Sequence, residues 1–224
     1  ACGHDAHTAI LLGAALAMAS APELPVSVRL IFQAAEEVMP GGAIDAISAG
    51  ALAGVSRIFA LHCDPRLAVG RVATIPGPIT SAADAIEITL YSPGGHTSRP
   101  HLTSDLVYGI GTLITGLPGV LSRRIDPRHS TVMVWGAANA GVAANAIPQI
   151  GTLAGTVRTA SRDTWLIMED LVHEIVSGLL GPLGIEHTLQ YRRGVPPVVN
   201  EERSTQILTH AIESVGPEVL ADTH

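Results

Sequence analysis

The 224-residue chain is 47% hydrophobic, contains 3% aromatic residues and carries a formal net charge of −7. This acidic balance, without a run of Lys or Arg, argues against nucleic acid and anionic membrane surfaces as partners, and no apolar run approaches the ~20 residues of a bilayer-spanning helix. Two cysteines, each close to a histidine, fit a reduced compartment better than a disulfide framework, so a cytoplasmic location is expected.

The first third of the chain predicts alternating helices and strands. Residues 6 to 20 are rich in Ala and Leu and carry no charge, which predicts a buried helix. Residues 24 to 32 and 55 to 61 are short apolar runs, typical of parallel strands that are covered on both faces. A pair of glycines begins a second helix between them, over residues 41 to 50. This order predicts an α/β layer.

After residue 79 the pattern changes. Residues 86 to 91 alternate between apolar and polar, which predicts a half-buried strand. An amphipathic helix follows from Leu106 and is expected to end at Pro118. Strands are predicted at residues 131 to 135 and 151 to 159. A helix is predicted at residues 168 to 179, and a last strand at residues 185 to 191. This β-α-β-β-α-β order is the ferredoxin-like pattern.

The predicted fold class is α/β, with two domains. Residues 1–79 and 198–224 are assigned to one α/β domain, and residues 80–197 form an inserted ferredoxin-like α+β domain. A helix predicted at residues 201 to 215 returns the chain to the first domain.

Three motifs of the α/β layer offer metal ligands. Cys2 and His4, one glycine apart, combine a soft sulfur with an imidazole nitrogen, the pair that favours zinc and its neighbours. Glu36 and Glu37 follow the first predicted strand, and His62 follows the second. Taken singly, these motifs are explained more simply as a packed pair, a solvated acidic turn and a core histidine. Because all three lie at successive element ends of one layer, they can converge, which favours a metal centre.

Five stretches carry a family resemblance. They are CGHDAH at residues 2–7, FQAAEE at 32–37, LHCDP at 61–65, GGHTSRPH at 94–101 and NAIP at 145–148. In this order they resemble the M20 metallopeptidase family, in the amidohydrolase branch that acts on N-acyl amino acids and includes hippurate hydrolases. The resemblance covers essentially the whole chain. It implies a partial metallopeptidase-type catalytic domain that binds two divalent metal ions and an inserted lid domain through which the protein dimerises.

The resemblance also implies roles for the motif residues. Cys2 becomes a bridging ligand, His4, Glu37 and His62 become terminal ligands, and Glu36 becomes the general base. The metal is expected to be zinc, or else manganese, cobalt or nickel.

The family has one more histidine ligand, near the end of its sequence. His210 and His224 lie in or after the last predicted helix and do not match it. The chain is therefore expected to be an internal piece of a longer protein.

Residues of the inserted domain are candidates for binding substrate. A turn of glycines lets His96 project and donate a hydrogen bond to the oxyanion of a tetrahedral intermediate. Arg158 suits bidentate binding of a carboxylate, with Asn145 as a neutral partner. A solvent-facing arginine and a loop-capping asparagine are the simpler explanations. The resemblance favours the functional roles, with His96 acting across a dimer interface, and leaves His101 and His7 as outer candidates.

These features predict metal-dependent hydrolysis of the amide bond of small N-acyl amino acids by a homodimer. Two alternatives remain at this point. One is a catalytically inactive dimeric binding or scaffold module that keeps the lid. The other is a thiol hydrolase that uses Cys2 with His4.

Overall fold

The computed structural model describes residues 2–38 and 41–221. The chain divides into two compact units, Ala1–Thr74 with Arg203–His224 (unit 1) and Ile75–Glu202 (unit 2). The catalytic and lid roles that the sequence suggests for residues 1–79 with 198–224 and for residues 80–197 stay predictions. No helix in the described part of the chain is long and apolar enough to cross a membrane.

The described residues form five α-helices and eight strands. The helices are α1 (His4–Ala19), α2 (Gly42–Ser48), α3 (Leu106–Arg124), α4 (Arg162–Leu180) and α5 (Glu202–Glu213). The strands are β1 (Gly77–Pro78), β2 (Ala82–Tyr91), β3 (Gly95–His96), β4 (Val132–Ala140), β5 (Ala146–Ile147), β6 (Ile150–Thr159), β7 (Glu186–Arg192) and β8 (Val199–Asn200).

Unit 2 is built on a four-stranded sheet with the order β4-β6-β2-β7. Every neighbouring pair in it is antiparallel. Along the chain the elements run β2, α3, β4, β6, α4, β7, so the predicted β-α-β-β-α-β order is present. Two short ribbons lie outside the sheet, β1 with β8 and β3 with β5.

The hydrophobic core of unit 2 lies between the sheet and its two long helices. Each helix begins at a side-chain cap: Asp105 accepts from two amides of α3, and Ser161 accepts from one amide of α4. An ideal Cβ on Gly109 of α3 would overlap Cδ1 of Ile185, so glycine allows the close approach there. The largest fully buried side chains of this core include Ile86, Ile88, Leu90, Leu106, Leu113, Leu117, Leu153, Met168 and Val172.

The expected end of α3 at Pro118 is wrong. The helix continues through Pro118 to Arg124. Proline in a helix interior costs about 3 kcal/mol because it removes one hydrogen bond and crowds the preceding turn. Leu121, which is 3% exposed, extends the buried stripe of the helix beyond the proline. Its burial stabilises the extra turn by about 1.5 to 3 kcal/mol, which offsets most of that cost.

Unit 1 contains the predicted helices but little of the expected burial. The helices predicted over residues 6 to 20 and 41 to 50 are confirmed as α1 and α2. α1 has no buried residue, however, so its prediction as a buried helix is wrong. Leu12 and Leu16 of α1 are 53% and 63% exposed. Among the described residues of this unit, Ile212 on α5 is the one buried hydrophobic side chain.

The two predicted parallel strands of unit 1 are not formed. Residues 24 to 32 and 55 to 61 have no regular strand in the structure. A parallel strand needs a hydrogen-bonded neighbour and a covering layer on each face. Within the described part of unit 1, the β pairing is limited to a single bridge between Val72 and Leu220. Without a ladder the apolar side chains of these runs stay exposed, including Phe32 at 54% and Phe59 at 50%.

A buried carboxylate ties the elements of unit 2 together. Asp84 on β2 is 2% exposed. It accepts hydrogen bonds from the Trp165 indole at 3.0 Å, the Tyr191 hydroxyl at 2.6 Å and the Gly194 amide at 2.8 Å. Burial, followed by the hydrogen bond to Asp84, raises the pKa of Tyr191, so this hydroxyl stays a donor. Asp84 therefore joins β2 to α4, to β7 and to the segment after β7.

Replacing Asp84 with alanine should destabilise the protein by about 3 to 5 kcal/mol, because three donors lose their acceptor in a buried site. Urea unfolding followed by tryptophan fluorescence measures the change. Glu87→Gln is the matched control, since Glu87 lies on the same strand but is exposed and paired with Arg192 at 3.2 Å. The control should change stability by less than about 1 kcal/mol. Equal effects of the two substitutions would contradict a structural role for Asp84.

Candidate metal centre

The candidate metal centre begins at the first turn of α1. Gly3 precedes the helix with φ 80° and ψ 23°, a left-handed conformation that glycine adopts without strain. An ideal Cβ on Gly3 would lie 3.3 Å from both Cβ and Sγ of Cys63. Glycine at this position therefore allows the turn between Cys2 and His4 and the close approach of the Cys63 loop.

The two glutamates lie in a turn beside the first histidine. His4 Nε2 is 3.5 Å from Glu36 Oε2 and 3.8 Å from Glu37 Oε1. Ala35, directly before them, has φ 57°, an unusual left-handed conformation for alanine. The predicted proximity of the N-terminal motif and the glutamate pair is thus present, although no strand leads to the glutamates.

Arg29 closes the segment that contains the glutamates. Its Nη1 donates to the carbonyl oxygens of Gly50, Ala51 and Ala53 at 3.2, 2.8 and 3.0 Å. These carbonyls follow α2, whereas Arg29 precedes Glu36 and Glu37. The guanidinium therefore joins the two ends of the segment through charge-assisted hydrogen bonds, in place of a strand ladder.

His62 has a hydrogen bond that leaves one ring nitrogen free. Its Nδ1 lies 2.7 Å from the carbonyl oxygen of Cys63. Because a carbonyl only accepts, Nδ1 carries the proton and Nε2 keeps a free lone pair. Histidines that bind metals in proteins usually donate their second nitrogen to a carbonyl or carboxylate in this manner.

Among the residues that the structure describes, two groups of three side chains have ligand atoms close enough to hold a metal ion. Cys2, His4 and Glu37 form one group, and His4, His7 and His62 form the other. Within each group the ligand atoms lie within 4.8 Å of one another. His4 belongs to both groups, so one imidazole joins them. This donor set of sulfur, nitrogen and carboxylate oxygen fits zinc or a late first-row metal.

The charges of the cluster also fit a cation. A hydrogen bond from the Cys2 thiol to Glu37 and the charge of that carboxylate raise the pKa of Cys2. Without a cation the thiol therefore keeps its proton. A divalent ion favours the thiolate, which is the form that binds metals, and neutralises the carboxylate beside it.

His7 is closer to the centre than the sequence indicates. Its ring centroid lies 4.6 Å from that of His62 and 5.4 Å from that of His4. The amide of Cys63 donates to His7 Nε2 at 2.8 Å. The sequence does contain a signal for this position, because residues three apart share one face of a helix and His7 follows His4 by three.

In unit 2, His96 and Asn145 lie side by side. His96 is in β3, opposite Ala146 of β5, and the carbonyl of Asn145 accepts from Thr97 at 3.2 Å. Nδ1 of His96 accepts from the Ser98 amide at 3.1 Å. The neutral ring therefore carries its proton on Nε2. Since His96 is exposed, Nε2–H is available as a donor, as the predicted oxyanion role requires.

Arg158 lies at the other end of the sheet. On β6 it is exposed, while its neighbours Val157 and Thr159 are buried, so it occupies the face opposite the helices. Strand β6 begins at Ile150, and Asn145, which directly precedes β5, comes before that strand in the chain. Eight residues of strand at ~3.3 Å each separate Arg158 from Ile150 by roughly 26 Å. Arg158 and Asn145 therefore lie at opposite ends of the sheet within one chain, and their roles in substrate binding stay predictions.

The remaining histidine candidates do not add a ligand. His101 lies exposed in a short helical turn, Pro100–Leu102, in unit 2. His210 lies on α5, where its Nδ1 is 2.7 Å from the carbonyl oxygen of Gln206. It is absent from both metal-binding groups of the described residues. His224 lies outside the described part of the chain.

Comparison with known families identifies the family of the chain. The model of Peptidase family M20/M25/M40 matches residues 1–223. The chain belongs to this family. The predicted family resemblance is confirmed.

Three curated relatives illustrate the match. A putative glutamate–cysteine ligase 2-3 of Rhodococcus jostii is 55% identical over 100% of this chain, but the match spans 28% of that protein. An N-acetyl-L-cysteine deacetylase of Bacillus subtilis is 32% identical, over 98% of this chain and 53% of the relative. An N-acyl-L-amino acid amidohydrolase of Geobacillus stearothermophilus is 33% identical, over 89% and 54%. The chain thus spans about half the length of the two amide hydrolases.

Two solved structures share the fold. A putative aminohydrolase from methicillin-resistant Staphylococcus aureus has a TM-score of 0.88 and 29% identity, covering 100% of this chain and 60% of that one. A dinuclear metal-binding peptidase of the M20 family from Bacillus subtilis has a TM-score of 0.77 and 29% identity, covering 96% and 55%. The second protein binds two metal ions, and this chain has the mixed α/β fold of both.

Gly3→Ala should lower the affinity for zinc by about tenfold. A left-handed alanine costs about 1 to 2 kcal/mol, and its Cβ would displace the Cys63 loop or the first turn of α1. Titration of the metal-free protein with zinc in a competing chelator measures the affinity. Gly13→Ala is the matched control, because nothing lies within 4 Å of its ideal Cβ. The control should bind zinc normally, and the same affinity in Gly3→Ala would contradict the role of this turn.

Proposed function

We propose that the protein that contains this chain hydrolyses the amide bond of N-acyl amino acids with the help of bound metal ions. The convergence of Cys2, His4, Glu37 and His62, with the carboxylate of Glu36 beside His4, supports this most directly. The relatives named for deacetylation and amidohydrolysis are consistent with an N-acyl amino acid as substrate.

Cys2, His4, Glu37 and His62 are proposed to hold two divalent ions, zinc or alternatively manganese, cobalt or nickel. Bound at these residues, the ions would supply Lewis acidity toward the acyl carbonyl and toward the attacking water. Glu36 takes the proton of that water and passes it to the leaving amine. Its carboxylate is 65% exposed and 3.5 Å from His4 Nε2, so it is next to the centre and accessible to substrate.

The substrate contacts are proposed to come from two copies of the lid. The exposed guanidinium of Arg158 binds the substrate carboxylate in a bidentate manner. His96, with its Nε2–H, donates to the oxyanion, and Asn145 beside it adds a neutral contact. Because Arg158 and His96 lie at opposite ends of one lid, a homodimer in which one chain supplies Arg158 and its partner supplies His96 accounts for both roles. A cytoplasmic location of the enzyme remains part of the proposal.

The two alternatives explain less of the geometry. An inactive scaffold has no use for a second, exposed carboxylate, that of Glu36, beside a cluster of metal ligands. A thiol hydrolase needs a cysteine with a lowered pKa, whereas Glu37 raises the pKa of Cys2. His4 Nε2 also lies beside two carboxylates, where a metal ligand is well placed.

Glu36→Gln in the full-length protein should keep the metal ions but lower kcat by about two to four orders of magnitude, because the amide cannot accept the proton of water. Turnover of acetyl and benzoyl amino acids and metal content by atomic emission are measured together. Glu37→Gln serves as the comparison and should lose metal as well as activity. Glu23→Gln, an exposed glutamate of the same unit, should change neither. Near-normal turnover of Glu36→Gln at full metal content would refute the base assignment.

Mixing His96→Ala protein with Glu36→Gln protein should restore activity. A mixed dimer contains one site with both an intact base and an intact histidine, whereas each parent dimer lacks one of them. Recovery to about a quarter to a half of the wild-type rate per dimer is expected after subunit exchange. Exchange is followed with two affinity tags. Exchange without recovery would show that His96 acts within its own chain.

A further inference from the structure

The backbone of Cys63 connects two histidines of the candidate centre. Its amide donates to His7 Nε2 at 2.8 Å, and its carbonyl lies 2.7 Å from His62 Nδ1. A backbone amide can only donate and a carbonyl can only accept. The direction of both hydrogen bonds is therefore fixed: Cys63 donates to His7 and accepts from His62.

These directions determine which ring nitrogens can bind a metal. His62 has its proton on Nδ1, so Nε2 has a free lone pair. In His7 the lone pair of Nε2 is used by the Cys63 amide, and Nδ1 carries the proton of the neutral ring. Although His7 belongs to a group with metal-binding spacing, neither of its nitrogens is free to bind an ion.

The loop that contains His62 has few other constraints. Within the described residues, residues 57–63 make no hydrogen bond from backbone to backbone. Contacts from side chains are therefore what hold this loop. The rings of His7 and His62 pack with centroids 4.6 Å apart and planes at 54°. His7 lies on α1, three residues after His4, so the helix that presents His4 also holds the His62 loop.

We propose that His7 is a positioning residue of the metal centre. It holds the Cys63 peptide, and the carbonyl of that peptide fixes the tautomer and the ring orientation of His62. His7 thereby acts on the ion through Cys63 and His62 without touching it. The inference rests on the proposed function in one respect, namely that His62 is a metal ligand. The contact uses the backbone of Cys63, so the cysteine side chain itself is not required.

His7→Gln and His7→Leu test the proposal, with His210→Leu as the control on another helix of the same unit. Glutamine keeps an oxygen that can accept from the Cys63 amide, whereas leucine has no acceptor. In the full-length protein, His7→Leu should bind zinc about 10 to 100-fold more weakly, the usual loss for an outer partner of a ligand. His7→Gln should bind within about threefold of wild type, and His210→Leu should not differ from wild type.

Nitrogen NMR of the metal-free protein gives a second readout. The His62 ring should carry its proton on Nδ1 in wild type and in His7→Gln. In His7→Leu the ring should shift toward the Nε2-protonated form that free imidazole side chains favour. The Cys63 amide should also exchange its proton with water about tenfold faster in His7→Leu than in wild type.

Three outcomes would overturn the proposal. Equal zinc affinity of His7→Leu and wild type would show that the contact has no effect on the centre. An unchanged His62 tautomer in His7→Leu would break the link through Cys63. Equal losses in His7→Gln and His7→Leu, with a cobalt spectrum that indicates one nitrogen ligand fewer, would make His7 a ligand. Failure of the proposed function would be seen separately. The wild-type protein would then show no turnover although His62 carries its proton on Nδ1.

Discussion

Hydrogen bonds from side chains to backbone groups hold the candidate metal centre together. Arg29 binds three carbonyls after α2 and closes the segment of Glu36 and Glu37. His7 binds the Cys63 amide and ties the His62 loop to α1. In the described part of unit 1, these contacts replace the hydrogen bonds between paired strands that hold open α/β proteins together. The placement of the ligands therefore depends on a few individual side chains. Replacing any one of them is expected to weaken metal binding.

The two units differ in how far sequence patterns determine them. In unit 2 the apolar residues recur with the period of a helix or of a strand. The core between the sheet and the helices buries the apolar residues of both. The extent of α3 was not predictable from its local sequence, because Pro118 is tolerated only once Leu121 is buried by the rest of the core. In unit 1 the apolar runs resemble buried strands, but burial depends on neighbours that a short sequence window does not contain.

Much of the candidate centre could be predicted, because its ligands occur in short motifs. The three motifs were identified from residue type and spacing, and the family resemblance assigned Cys2, His4, Glu37 and His62 as the ligands among them. In the structure these four residues belong to two groups that share His4. His7 was predicted only as an outer candidate, and its hydrogen bond could not be predicted, since the donor is a backbone amide 56 residues away that no residue type indicates. The separation of Arg158 from Asn145 likewise follows from the direction of β6 and not from their spacing.

The lid and the centre contribute different chemistry to the proposed reaction. The centre supplies anionic and imidazole ligands and a base, and the lid supplies a cation and a hydrogen-bond donor for the substrate. X-ray absorption at the edge of zinc bound to the full-length protein tests the central claim most directly. The account predicts a sulfur ligand together with imidazoles, with the sulfur signal lost in Cys2→Ser and kept in Cys63→Ser. A zinc ion without sulfur, or a sulfur signal that disappears in Cys63→Ser instead, would contradict it.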